Sequence, residues 1–220
     1  MLEIYRNYPD VSLVTSKRDF IDINNEPVKN PPQYFEGEGL MSADDAVRLI
    51  FITCGNYIGE PTTPLIRKKF LRDNDLCWFE DETGFYPLVD VSTWLQLLTR
   101  GNMYLMKDSL SAMRINSARN IYSYKNRKIT AMYWAELIKY CWEKKIFLDT
   151  ESDTRLAFFH WINLAATALI DDKNYTSEET TALEDLNIAM AEALHNGCQI
   201  NLPPSVEITL EKYKGDCKYD

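Results

Sequence analysis

Histidine is scarce in this 220-residue chain, with only His160 and His195 present. One chain therefore cannot build a multi-histidine metal centre. His195 and Cys198 lie close at an expected helix end. Two ligands there would need two more from elsewhere, so no metal site is assigned. Glycine is sparse too, with eight residues and no cluster. Neither G-x-G-x-x-G nor G-x-x-x-x-G-K-S/T occurs, which removes the usual backbone cradles for phosphates. H-E-x-x-H and G-x-S-x-G are also absent, so zinc-peptidase and serine-hydrolase chemistry leave no signature. No cofactor is implied.

The five cysteines, Cys54, Cys77, Cys141, Cys198 and Cys217, are odd in number and far apart, with no C-x-x-C. That spacing writes neither a zinc ribbon nor a redox pair. The first three read as core thiols, and Cys217 as exposed. No apolar run reaches the ~18 residues of a membrane span. The longest, 156–170, is too short and carries His160, Asn163 and Thr167. The first residues lack the basic-then-apolar order of a secretory signal. A cytoplasmic protein is expected.

Apolar residues make up 45% and charged residues 26% of the chain, which suits a packed globular body rather than a disordered one. The net charge of −9 is unevenly laid out. Residues 1–100 hold 10 basic and 16 acidic side chains, 101–148 hold 9 and 3, and 149–220 hold 5 and 14. A basic middle between acidic flanks can neutralise itself within a fold or face a partner.

Residues 1–41 carry Pro9, Pro27, Pro31 and Pro32, which favours an extended arm with one or two short strands. Ser42, followed by Asp44 and Asp45, predicts a helix start. Ala46, Leu49, Ile50 and Thr53 share one face of that helix at helical spacing. A short helix is expected over 64–71. A β-hairpin is expected near 76–88, where aromatic flanks meet a polar turn. Further helices are expected over 92–99 and 105–122, and from Thr130, with Trp134, Leu137, Ile138 and Cys141 on one face. The span 154–170 is apolar on most of its surface and predicts a central, covered helix. Thr176 and Glu179 have capping-box spacing for a last helix, and 206–210 has strand-like composition. The expected fold is mainly α, an all-helical bundle of about six helices with a hairpin insert. Its expected organisation is an N-terminal arm over 1–41, a helical domain over 42–197 and a C-terminal arm over 198–220.

Two constellations stand out. Arg155 and His160 are separated by four residues. This spacing resembles the R-x4–6-H motif of HEPN-domain ribonucleases, a family of helical bundles. The resemblance implies that Arg155 steadies a scissile phosphate and that His160 takes part in proton transfer. It covers six residues. Leu156 stands where the family often has a polar residue, and positions five apart lie about 140° from each other on an ideal helix.

The second is the basic middle, where Arg114, Arg119, Lys125, Arg127 and Lys128 are interleaved with Tyr122, Tyr124 and Tyr133. Cations for phosphates beside rings for bases are what single-stranded nucleic-acid binding uses. The same patch also fits a protein partner. A smaller basic cluster, Arg67 to Lys69 with Arg72, reads as a solvated helix face.

With no catalytic motif spanning the chain, the leading expectation is a non-enzymatic interaction subunit. It would be an adaptor, accessory subunit or inhibitor that docks on another protein or a neighbouring subunit. A viral assembly component and a bacterial immunity or antitoxin protein both fit that description.

Overall fold

The computed structural model describes residues 1–29, 37–71, 88–115, 127–170 and 176–216. These fall into two compact units. The first takes 1–29, 37–50, 55–71 and 89–115, and the second takes 51–54, 88, 127–170 and 176–216.

In the first unit the chain opens with a short helix, α1 (Leu2–Asn7), and runs into strand β1 (Val11–Ile21). Then come β2 (Gly39–Met41), α2 (Ala43–Thr53), β3 (Leu65–Ile66), a 3-10 turn (Lys68–Leu71), α3 (Val89–Leu98) and β4 (Asn102–Arg114). The last turn of α2 falls in the second unit. The four strands form one mixed sheet in the order β2-β4-β1-β3. β1 runs parallel to β4, while β3 adds antiparallel to β1 and β2 antiparallel to β4.

Every residue from Val11 to Ser16 is buried. A strand covered on both faces must be apolar or small at all positions rather than alternating, and Val11, Leu13, Val14 and Thr15 meet that need. The turn into β4 depends on Gly101, which sits at φ +158 with a Cβ position only 2.2 Å from the carbonyl oxygen of Asp10. The neighbouring amide of Asn102 donates to that same carbonyl at 2.9 Å. No side chain fits there.

The second unit is built from α4 (Arg127–Lys144), α5 (Glu151–Ile170), α6 (Ser177–His195) and α7 (Pro204–Asp216). α4 is its central helix and touches the other three. Trp134, Leu137, Ile138 and Cys141 are buried, and so are Ile129, Met132 and Tyr133. The indole of Trp161 on α5 donates to the carbonyl of Ala131 at 2.7 Å and ties α5 to α4. The capping box of α6 forms as its spacing predicts, with Thr176 Oγ1 accepting from the Glu179 amide and the Glu179 carboxylate accepting from the Thr176 amide.

Several expectations are corrected. The chain is an α/β protein with a four-stranded sheet, not a mainly α bundle with a hairpin. Residues 11–21, expected in an arm, form a strand with neighbours on both sides. Residues 102–114, most of them expected as helix, form β4. Met106, Leu110 and Met113 do sit at helical spacing, but pairing with β1 overrides it. Two β-bulges, where β4 has extra residues opposite Ser16–Lys17 and Lys17–Arg18, break the alternation that would have marked a strand.

Residues 206–210 are helical because Pro204 opens α7 at a position that needs no amide donor. Val206, Thr209 and Leu210 then bury one face at helical spacing. Residues 65–66 form β3, and only the 3-10 turn of the expected 64–71 helix appears. The expected hairpin near 76–88 lies outside the described residues except for Leu88.

Candidate functional site

Arg155 lies on the exposed side of the first turns of α5, where its guanidinium pairs with Glu151 at 3.4 Å. His160 is half-buried one and a half turns on, its ring edge-to-face with Phe159 at 5.5 Å between centroids. The helix does not bring the two side chains onto one face, as expected for residues five apart.

Of the basic middle, Arg119, Tyr122, Tyr124 and Lys125 lie outside the described residues. Arg114 ends β4, and its guanidinium donates to the Asp22 carbonyl at 2.8 Å and to Asn25 Oδ1 at 2.7 Å. Arg127 is half-buried at the start of α4. Lys128 is fully buried, with its ammonium on Thr180 Oγ1 at 2.6 Å. Tyr133 is buried as well. Lys128 and Tyr133 are thus inside the protein, away from any surface partner.

Arg67, expected on a solvated face, works as a clamp. Its guanidinium donates to the carbonyls of Val11, Tyr5 and Tyr8 at 2.7, 3.0 and 3.0 Å and lies 4.3 Å from the ring centre of Tyr5. Arg72 lies outside the described residues. The thiols of Cys54 and Cys141 are each pushed up to about 12 by burial. Burial also raises that of Cys198. Cys77 and Cys217 lie outside the described residues.

Among the described residues of the first unit, a charged and polar cluster joins β1, the loop over 55–63 and α3. Arg18 pairs with Glu60 at 3.1 Å and reaches the carbonyl of Asn56 at 3.3 Å. The Asn56 amide donates to Asp90 Oδ2 at 2.5 Å and brackets Gly59, while the indole of Trp94 donates to the Gly59 carbonyl at 3.0 Å. Burial, reinforced by the charge of Glu60, pushes the Asp90 carboxyl up to about 6, against opposing hydrogen bonds from the Val91 amide and Asn56. These groups largely satisfy one another, which makes the cluster a scaffold for the loop.

A second feature, an open groove of about 310 Å³ between α6 and α7, is lined by Ser177, Thr181, Ser205, Ile208 and Thr209. Lys212 and Glu178 on its wall pair with each other at 2.5 Å.

The outward face of α5 behaves differently. From Leu156 to Ile170 the sequence has no Asp, Glu, Lys or Arg. Ala157, Phe158, Trp161, Ala165 and Ala168 face the core. Phe159 is 62% exposed and Ile170 82% exposed, with Asn163 and Ala166 exposed between them. Two polar groups on this face turn back onto the helix. Asn163 Nδ2 donates to the Phe159 carbonyl at 3.3 Å and Thr167 Oγ1 to the Asn163 carbonyl at 2.8 Å.

Apolar composition predicts a central, covered helix here, and the structure leaves one side of it open. The signal was available in the small and polar residues Asn163, Ala166 and Thr167, which share one face of an otherwise large-apolar helix. Among the described residues no helix is long and apolar enough to cross a membrane. No protein-family model, no curated protein and no solved structure matches this chain.

Proposed function

We propose that this chain is a non-enzymatic, cytoplasmic interaction subunit that docks through the outward face of α5. The observation that carries this reading is the exposure of Phe159 and Ile170 on a helix stretch without charge. Phe159 and Ile170 stand about three turns apart on this face, with the small or polar residues Asn163, Ala166 and Thr167 exposed between them. Water-facing helix positions otherwise attract charged residues, and more than a quarter of this chain is charged.

The test is affinity capture from the native host with the wild-type chain and with a Phe159→Glu, Ile170→Lys double variant. Proteins retained by the first and lost by the second are the expected result. An identical set on both removes α5 as the docking face.

A further inference from the structure

We propose that Asn196–Gly197, at the end of α6, is a self-modification site. There the chain converts its own asparagine to aspartate and iso-aspartate through a cyclic imide, with water as the only co-reactant.

The sequence supplies the first ground. Asn196 is the one asparagine of the chain that glycine follows. The amide nitrogen after an asparagine can attack the side-chain carbonyl carbon, and a Cβ on the following residue crowds that approach. Glycine has none.

The fold at this point supplies the second. Asn196 caps α6 at φ −107 and ψ 41, and Gly197 follows in the left-handed region at φ +64. Such an ending commonly returns two amides to the helix, one from the glycine and one from the residue after it. Here the Cys198 amide does so, donating to the Ala193 carbonyl at 2.8 Å. Among the described residues the Gly197 amide has no acceptor. The attacking nitrogen is therefore not held by a hydrogen bond. Its peptide plane must turn to reach the side chain, and the bond that resists this is a long one, from the Gln199 amide to the Asn196 carbonyl at 3.4 Å. Asn196 is exposed, so water reaches the imide and ammonia escapes. Exposed Asn163 differs on each count. Leu164 follows it, and its place inside α5 fixes the peptide plane.

The Gly197 nitrogen forms a bond to Asn196 Cγ and gives up its proton, and the side-chain amide leaves as ammonia. Water then adds to one of the two imide carbonyls and breaks its bond to nitrogen. Breakage at Cγ restores the original backbone with an aspartate. Breakage at the main-chain carbonyl leaves Gly197 attached through the side chain, with one more carbon in the chain path. Both products carry a new carboxylate, and nothing is oxidised or reduced.

Either product acts on the fold. A carboxylate at the C-terminal end of α6 opposes the helix dipole. The Glu151 side chain already lies there, its Oε1 3.7 Å from the Cβ position of Gly197. The longer path of iso-aspartate also displaces Cys198, which is fully buried and whose thiol donates to the Glu151 carbonyl at 3.8 Å. The modification therefore loosens the junction between the end of α6 and the start of α5.

The experiment is peptide mass spectrometry on the full chain held at pH 8 for several weeks, beside a Gly197→Ala variant. Asn196 is expected to gain the mass of an amide-to-acid exchange and to give two chromatographically separate products, while Asn163 stays an amide. Gly197→Ala slows the conversion more than tenfold. Asn163 serves as the internal reference in both proteins, so the comparison survives any strain in the variant.

Conversion no faster at Asn196 than at Asn163 overturns the site. Aspartate as the sole product overturns the imide route, and so does a Gly197→Ala variant that reacts at the wild-type rate. Amide exchange on the aged protein tests the consequence. The Cys198 amide is expected to lose more than tenfold in protection, and unchanged protection refutes the loosening.

Discussion

Among the described residues, Asp90 is a carboxylate whose burial opposes its charge. Its folded value of about 6 stands above the ordinary 3.8. Below pH 4 the carboxyl is protonated whether the chain is folded or not. Between pH 4 and 6 the folded state holds the proton and the unfolded state releases it, so stability falls as pH rises through that window. Above pH 6 the full penalty is present. Asp90→Asn removes the charge but keeps one acceptor oxygen, whereas Asp90 takes the Val91 amide on Oδ1 and Asn56 on Oδ2, so one of the two bonds is lost at every pH. Measured against its own offset below pH 4, the variant is expected to gain about 1 kcal/mol on the wild type above pH 7, a shift discounted for partial solvation. Thermal melts of both proteins across pH 3.5–8 measure this. A stability difference between the two proteins that stays constant from pH 3.5 to 8 would mean that burial does not dominate the Asp90 carboxyl.

Arg67 is the residue whose role the sequence most obscured. In a run of three cations it looks like solvated surface, yet one guanidinium holds three carbonyls and a tyrosine ring. Only a planar fork of donors reaches all of them together, so lysine is not an equivalent. Arg67→Ala is expected to cost about 2–3 kcal/mol through three charge-assisted bonds, and Arg67→Lys should recover less than half. Amide exchange in α1 should rise in both variants, because the clamp holds the end of that helix to the start of β1. Unchanged protection in α1 would show that the hydroxyl of Tyr5, which donates to the Leu65 carbonyl, holds it unaided.

At the scale of elements, the strongest local prediction concerns Gly101. Both its positive φ and the 2.2 Å approach of the Asp10 carbonyl exclude a side chain. Gly101→Ala is expected to destabilise the chain by more than about 3 kcal/mol, because rigid backbone rather than a movable side chain must give way. Denaturant melts read this directly. A loss under about 1 kcal/mol, the size of an ordinary substitution, would mean that the turn into β4 can rearrange freely.

The same element shows what the sequence could and could not reveal. The starts of α2 and α6 were legible because caps are local chemistry: Ser42 Oγ accepts from the Asp45 amide at 3.1 Å, and Thr176 with Glu179 forms its box. The α4 face from Trp134 to Cys141 was legible because its burial repeats at helical period. β1 was legible only as short strand-like stretches within an arm, not as an interior strand buried at six successive positions, and β4 was not legible because bulges break its alternation. Parallel pairing across some ninety positions of chain leaves no mark in a local window. The open face of α5 was hidden for a related reason. Apolar composition tells that a helix avoids water, and the only local mark of the open side is the small and polar set Asn163, Ala166 and Thr167 on one face.

For the whole molecule, the net charge of −9 decides how association responds to salt. Two copies repel at every separation beyond their contact, and residues 156–170 offer no ion pairs to offset this. Salt screens that repulsion, the Debye length falling from about 10 Å at 0.1 M to about 3 Å at 1 M. Apolar contact is not weakened by sodium chloride in this range. Any self-association through that stretch is therefore expected to strengthen between 50 mM and 500 mM salt, by a factor on the order of three to ten for repulsion between partly screened like charges. A basic partner drawn to the acidic flanks would behave in the opposite way, its affinity falling over the same range. Sedimentation equilibrium at four salt concentrations separates the two. A dimer that dissociates as salt rises must be held by contacts between opposite charges, which residues 156–170 do not possess, and its interface would have to be sought elsewhere on the chain.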